Sequence, residues 1–231
     1  MLIFGRAWRL ARRLTIKRLA RSISKVELAT CLEGGGVPQD FLPSLRSRDK
    51  PAFFFHLTLP RGKTSSSSTA TTPLNQALRE ALPQSEGILH DADEICAHNF
   101  DLLGSGKRNV DREPSKIDWH RDFKSGETWA SSTFFTDIRN AKKAEDSDIK
   151  VPWELSRFQH LPTLGKAYWL TGDEKYAREF SHEIADWIEN NPPLHGVNWT
   201  GAMDVAIRAV NWVWGFYFFK QSPEVNDEFL L

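Results

Sequence analysis

Cysteine, methionine and tyrosine are scarce in this 231-residue chain, numbering two, two and three. Cys31 and Cys96 lie far apart and match no metal-binding or redox spacing, so they read as incidental thiols rather than a disulfide. No run of about 18 apolar residues occurs, which excludes a membrane-spanning helix. Net charge is also absent: 30 basic residues balance 30 acidic ones, so no global field favours nucleic acid. No glycine-rich loop follows a strand pattern, which argues against nucleotide binding. The seven histidines show no i, i+4 pairing and have no cysteine partners, so neither a metal site nor a cofactor is expected.

What the chain does have is tryptophan. Eight of its nine tryptophans follow position 118. Hydrophobic content of 40% and charged content of 26% fit a globular protein, and the length suits one large domain. The first 25 residues carry eight basic side chains and no acid. Arg6, Arg9, Arg12 and Arg13 interrupt the apolar stretch that a signal peptide needs. This basic, amphipathic segment suits either a solvated helix packed on the domain or contact with a membrane surface. Compartment is left open.

Three zones follow along the sequence. Residues 1–90 are expected to hold the basic helix, a break at Gly34–Gly36 and a Ser/Thr-rich tract from Lys63 to Thr72 that cannot bury apolar area. From residue 91 onward a helical domain is expected. Ala92–Leu103 reads as a short helix stopped by Gly104. Residues 109–152 read as an irregular connection carrying IDWHRD and SGETW, where binding groups are often displayed. From Trp153 the apolar spacing is helical, restarted at Pro162, with a stop and an N-cap in Gly172–Asp173. The next helix sets Tyr176, Phe180, Ile184, Trp187 and Ile188 on one face, and Lys175, Glu179, Glu183 and Asp186 on an opposite, solvated one. Short connections between helices imply antiparallel hairpins, and the C-terminal half reads as all-α.

The most telling segment is WTGAMDVAIRAVNWVWGFYFF (Trp199–Phe219). It is apolar almost all round, as suits burial between helices. Asp204, Arg208 and Asn211 interrupt it at i, i+4 and i+7, on one face. Such a stripe is either a satisfied internal network or the wall of a polar cleft, and so much tryptophan points to a sugar-binding cleft. Asn198 is either an N-cap or, with Trp199, a cleft group. Arg208 either grips a carboxylate in bidentate fashion or pairs with Asp204. Glu154, Arg157 and His160, spaced by threes, either line the same cleft or tie their helix to the third. His120 faces ligand or solvent, and Trp119 and Trp129 either stack on sugar or anchor their loops. Trp212, Tyr168, Tyr176 and Tyr217 fall on apolar helical patterns and read as core.

The block VPWELSRFQHLPTLGKAYWLTGDEKYAREF, then DWIENNPPLHGVNWTGAMDVAIRAVNWVW, with HNFDLLGSG and IDWHRD upstream, resembles the N-terminal helical domain of heparinase II/III-like polysaccharide lyases. The resemblance implies an incomplete (α/α) toroid of antiparallel helical hairpins, all-α after an irregular N-terminal portion. It implies an acidic polysaccharide as partner, a periplasmic or cell-envelope setting, and β-elimination at a uronic acid. In that family an Asn with a His offsets the uronate charge, while Tyr and His move protons. No Asn-His pair occurs in this chain, so the catalytic set is expected beyond Leu231, in a longer protein with a C-terminal β-sandwich. Asn198, Trp199, Arg208, Asn211, Arg157 and His160 are then the expected substrate-side groups. A glycoside hydrolase using Glu154 and Asp204, or a non-catalytic carbohydrate-binding module, are the alternatives.

Overall fold

The computed structural model describes residues 43, 47, 73–138 and 144–230. The basic N-terminal segment, the Gly34–Gly36 break, the Ser/Thr tract and Cys31 lie outside the described residues. Helices α1 (Pro73–Ala81) and α2 (Ser85–Cys96) come first, followed by two small antiparallel hairpins. These pair β1 (Asn99–Phe100) with β2 (Arg108–Asn109), and β3 (Asp111–Glu113) with β4 (Lys116–Ile117). Beyond them come α3 (Lys150–Ser156), α4 (Leu161–Thr171), α5 (Lys175–Asn190), α6 (Ala202–Phe219) and a terminal turn of helix, α7 (Asp227–Leu230). From Lys150 on, the described residues form helices and turns with no strand, as the apolar spacing predicts.

Local chemistry explains the boundaries. The helix expected over Ala92–Leu103 instead starts at Ser85 and ends at Cys96, because His98 takes a left-handed φ of 52° and turns the chain into β1. That helix runs across residue 90, so the helical part begins upstream of the expected boundary. A second reversal at Phe158, φ 58°, separates α3 from α4 and drops its ring among Trp119, Trp187 and Trp212. Pro162 sits in the first turn of α4, where a missing N–H costs nothing. Gly172 closes α4 at φ 70°, its N–H bonded to the Tyr168 carbonyl at 2.7 Å. Asp173 then accepts the Lys175 N–H at 2.9 Å from one position before the N-cap, which is Glu174 and carries no side-chain cap bond.

The core lies between α4, α5 and α6, with α2 closing one side. Tyr168, Tyr176, Phe180, Trp187 and Phe219 are buried there. The α4–α6 contact is tight because Gly165 lies under the Phe218 ring, and a Cβ at 165 would collide with that ring. Two faces differ from expectation. Ile188 is exposed rather than in the apolar stripe of α5, and α6 is not enclosed all round: Met203, Val210 and Val213 face outward. No described helix is long and apolar enough to cross a membrane.

Candidate functional site

The polar stripe of α6 meets α3 and the turn that follows it. Arg157, at the end of α3, donates from Nε to the Asp204 carboxylate at 2.7 Å and from Nη1 to Glu154 one turn back. Asn211 donates to the Arg157 carbonyl at 2.8 Å. Asp204 is buried in the first turn of α6, where the helix N-terminus favours negative charge. Arg157, Glu154 and Asn211 are only partly covered, so this cluster opens toward solvent.

Arg208, one turn further along α6, does not pair directly with Asp204. Its Nη1 donates to the Ser156 carbonyl at 3.1 Å and its Nη2 to the Asn198 carbonyl at 3.0 Å. The guanidinium lies 4.0 Å over the Trp187 ring and 5.6 Å from that of Trp199. Burial pushes its pKa down to about 10, with the nearby Asp204 charge opposing the shift. It therefore stays charged at neutral pH, satisfied by carbonyls and ring faces. Only 3% of Arg208 is exposed, so bidentate capture of a ligand carboxylate is closed to it in this conformation.

Asn198 is not an N-cap. It sits inside a 3-10 turn, Val197–Trp199, and α6 starts after Gly201 with no side-chain cap. Its buried amide donates to the Trp119 carbonyl at 2.8 Å and to Asn191 Oδ1 at 2.9 Å, stitching the IDWHRD loop to the start of α6. Trp199 is half-buried beside it, its indole N–H reaching the Asn191 carbonyl at 3.4 Å.

His160 extends the wall toward α5, its Nε2 lying 2.5 Å from Glu183 Oε2. Glu183 was expected on a solvated face and is instead fully buried, with its pKa raised first by desolvation against the pull of His160. Asp186 and Glu179 likewise turn inward. Asp186 accepts the Trp119 indole N–H at 2.7 Å, and the Glu179 side chain is 13% exposed. An acid beside an apolar stripe can be buried when another element brings a donor, and nothing within α5 announces those donors. Trp187, expected on the apolar face of α5, is core as expected and also lies beneath the Arg208 guanidinium.

The IDWHRD loop is structural. Trp119 and Trp129 are buried, so they anchor rather than stack on a ligand. His120 is buried too, neither at the surface nor open to a ligand, with Nε2 at 3.1 Å from the Asn190 carbonyl. Desolvation holds its pKa below the usual range. Asp122 accepts from the backbone of Asp148 at 2.9 Å and Lys124 at 2.8 Å, and from the Ser125 hydroxyl at 2.7 Å. Burial raises its pKa, but these donors outweigh that and keep it ionised.

Glu154 and Asp204 share one guanidinium, that of Arg157. A hydrolase needs its two carboxyl groups facing each other across a cleft, whereas here both are engaged by the same arginine. Of the six expected substrate-side residues, Arg157, Asn211, Trp199 and His160 are thus only partly covered, while Asn198 and Arg208 are sealed behind them.

Comparison with known proteins finds similarity to heparin-sulfate lyases. A 45-residue stretch is 44% identical to a heparin-sulfate lyase of Bacteroides stercoris, covering 20% of this chain and 7% of that protein. A 45-residue stretch is 42% identical to the heparin-sulfate lyase of Pedobacter heparinus, with the same coverage of 20% and 7%. Over 89 residues, 34% are identical to the heparin-sulfate lyase of Bacteroides thetaiotaomicron, 37% of this chain and 13% of that one. These matches thus take in only a small part of each relative's length. No solved structure matches the chain. The family described as Heparinase II/III N-terminus matches residues 73–231, well over half of the chain, and the chain therefore belongs to the heparinase II/III family.

Proposed function

We propose that this chain supplies the substrate-side wall of a polysaccharide lyase that cleaves a uronic-acid-containing acidic polysaccharide by β-elimination. Its helical hairpins are then part of an incomplete (α/α) toroid. The observation that supports the reading most directly is the half-open Arg157–Glu154–Asn211 cluster beside Trp199, within the family segment. Removal of the weakly acidic C5 proton of a uronate requires its carboxylate charge to be offset as the enolate-like state develops. Arg157 and Asn211 offer a cation and an amide for gripping neighbouring acidic sugars, and the Trp199 ring offers a face for a pyranose. Arg208 and Asn198 act one layer back, holding α3 and the 3-10 turn in register with α6. Positioning is the wall's contribution; the proton-transfer groups are assigned to other residues of the lyase.

The test is spectroscopic. A lyase that carries this domain together with its proton-transfer groups, incubated with uronate-containing polysaccharides, should generate an unsaturated uronide, seen as new ultraviolet absorbance. Arg157→Ala should suppress it, and residues 1–231 alone should give none. New reducing ends without that absorbance would replace elimination with hydrolysis. Binding to uronate oligosaccharides without turnover would make the domain a carbohydrate-binding module.

A further inference from the structure

Away from the wall, the turn after α2 and the outer part of α5 bring together a donor set that the spacing of histidines gives no hint of. Glu179 and His182 stand at i and i+3 on α5, on neighbouring positions of one face. His98 approaches them from 81 residues upstream, its Nε2 at 2.8 Å from Glu179 Oε1. His182 Nδ1 lies 4.0 Å from the same oxygen. The two imidazoles stack almost parallel, with centroids 5.9 Å apart and planes 4° apart. One ligand atom from each of the three residues falls within a 4.8 Å span.

We propose that His98, Glu179 and His182 form a binding site for a divalent transition metal of the zinc class. Two imidazoles and one carboxylate are the donor set of open, three-ligand zinc sites, in which water completes the tetrahedron. For bonds of about 2.1 Å, tetrahedral ligands stand about 3.4 Å apart. Two separations, 2.8 and 4.0 Å, straddle that value and the third lies within 4.8 Å, so Glu179 and the half-exposed His182 ring must both shift to close on an ion. The other ring nitrogen of His98 is 2.5 Å from Asp111 Oδ1. A carboxylate at that position fixes the tautomer and orientation of a ligating histidine.

The backbone is arranged to hold His98 there. It is a non-glycine residue at φ 52°, a conformation that persists only when its surroundings impose it. The Val110 N–H bonds to the His98 carbonyl at 3.0 Å, and the Asn109 side chain bonds to the Ala97 carbonyl at 2.9 Å. That directs a side chain only 4% exposed between Asp111 and Glu179. His182 is 39% exposed and gives an ion its way in from solvent. An ion here would pin the hairpins to α5 one turn from Glu183, the partner of His160.

The competing account is a metal-free cluster in which His98 bridges two carboxylates and His182 is a bystander. The two separate in a zinc titration of the full chain, stripped of metal and read against a chromophoric chelator. One equivalent should bind, cobalt should give the visible bands of a four-coordinate site, and zinc should raise the thermal midpoint. His182→Ala, at a half-exposed position where folding is not at stake, should weaken zinc at least about tenfold and abolish the midpoint shift. Asp111→Asn should weaken it by about 10- to 100-fold, while His195→Ala, outside the cluster, should leave it unchanged. No saturable uptake, or uptake that His182→Ala leaves intact, overturns the proposal.

Discussion

Arg157 and Arg208 lie on the same wall and are satisfied in opposite ways. Arg157 faces two carboxylates and remains partly open. Arg208 faces two carbonyls and the Trp187 ring, and is closed. A guanidinium sealed in protein needs its donors occupied but not a salt bridge, because carbonyl dipoles and ring faces replace water without importing a second charge. Arg157, at a half-open edge with two acidic partners, is the one that the proposed function assigns to the substrate. Depth, rather than residue type, sorts the two into framework and rim.

The largest expected effect comes from breaking the framework member. Arg208→Ala strands the Ser156 and Asn198 carbonyls at about 1–3 kcal/mol each, so urea unfolding should show a loss of roughly 2–6 kcal/mol. A loss below about 1 kcal/mol would mean that the wall does not depend on this side chain. Arg157→Ala should act mainly on ligand. Affinity for a uronate oligosaccharide should fall about tenfold, equivalent to about 1.4 kcal/mol, measured by calorimetry at low salt. Equal binding by variant and parent would move the cleft elsewhere. Trp199→Ala removes one ring face, worth about 0.5–1.5 kcal/mol beyond area, and should weaken the same ligand a few-fold. If it weakens folding but not binding, Trp199 belongs with Arg208.

The smallest effect is a pH dependence carried by His120. Its folded pKa lies below the unfolded value because burial disfavours the imidazolium. Its unfolded ring therefore takes up a proton first as pH falls below about 6.5. Stability from this group is fully present above that pH and is lost toward the folded pKa, by at most about 1.4 kcal/mol per pH unit. Wild type should lose stability relative to His120→Gln as pH falls below about 6.5. Parallel curves for the two proteins would show that the ring titrates as if exposed.

The helices were legible because their signals are local. Pro162, Gly172 and Asp173 act on the next few backbone groups, and the apolar spacing of α4 and α5 records which face is covered. Elements that depend on a distant partner were not legible. Glu183 looks solvated on a helical wheel of α5 alone and is buried because His160 arrives from the turn before α4. Asn198 looks like a cap until Trp119 and Asn191, both from other segments, take its donors.

From the sequence alone come the all-α character from Trp153 onward, the heparinase II/III likeness and the alignment of Asp204, Arg208 and Asn211 on one helical face. These follow from side-chain periodicity and short-range turn chemistry, which need no knowledge of neighbours. Only the tertiary structure decided which of those polar groups are sealed and which stay open, and that His98 meets Glu179 across 81 residues. The free energy of a buried charge is set by what surrounds it in space, and a linear order of residues does not contain that.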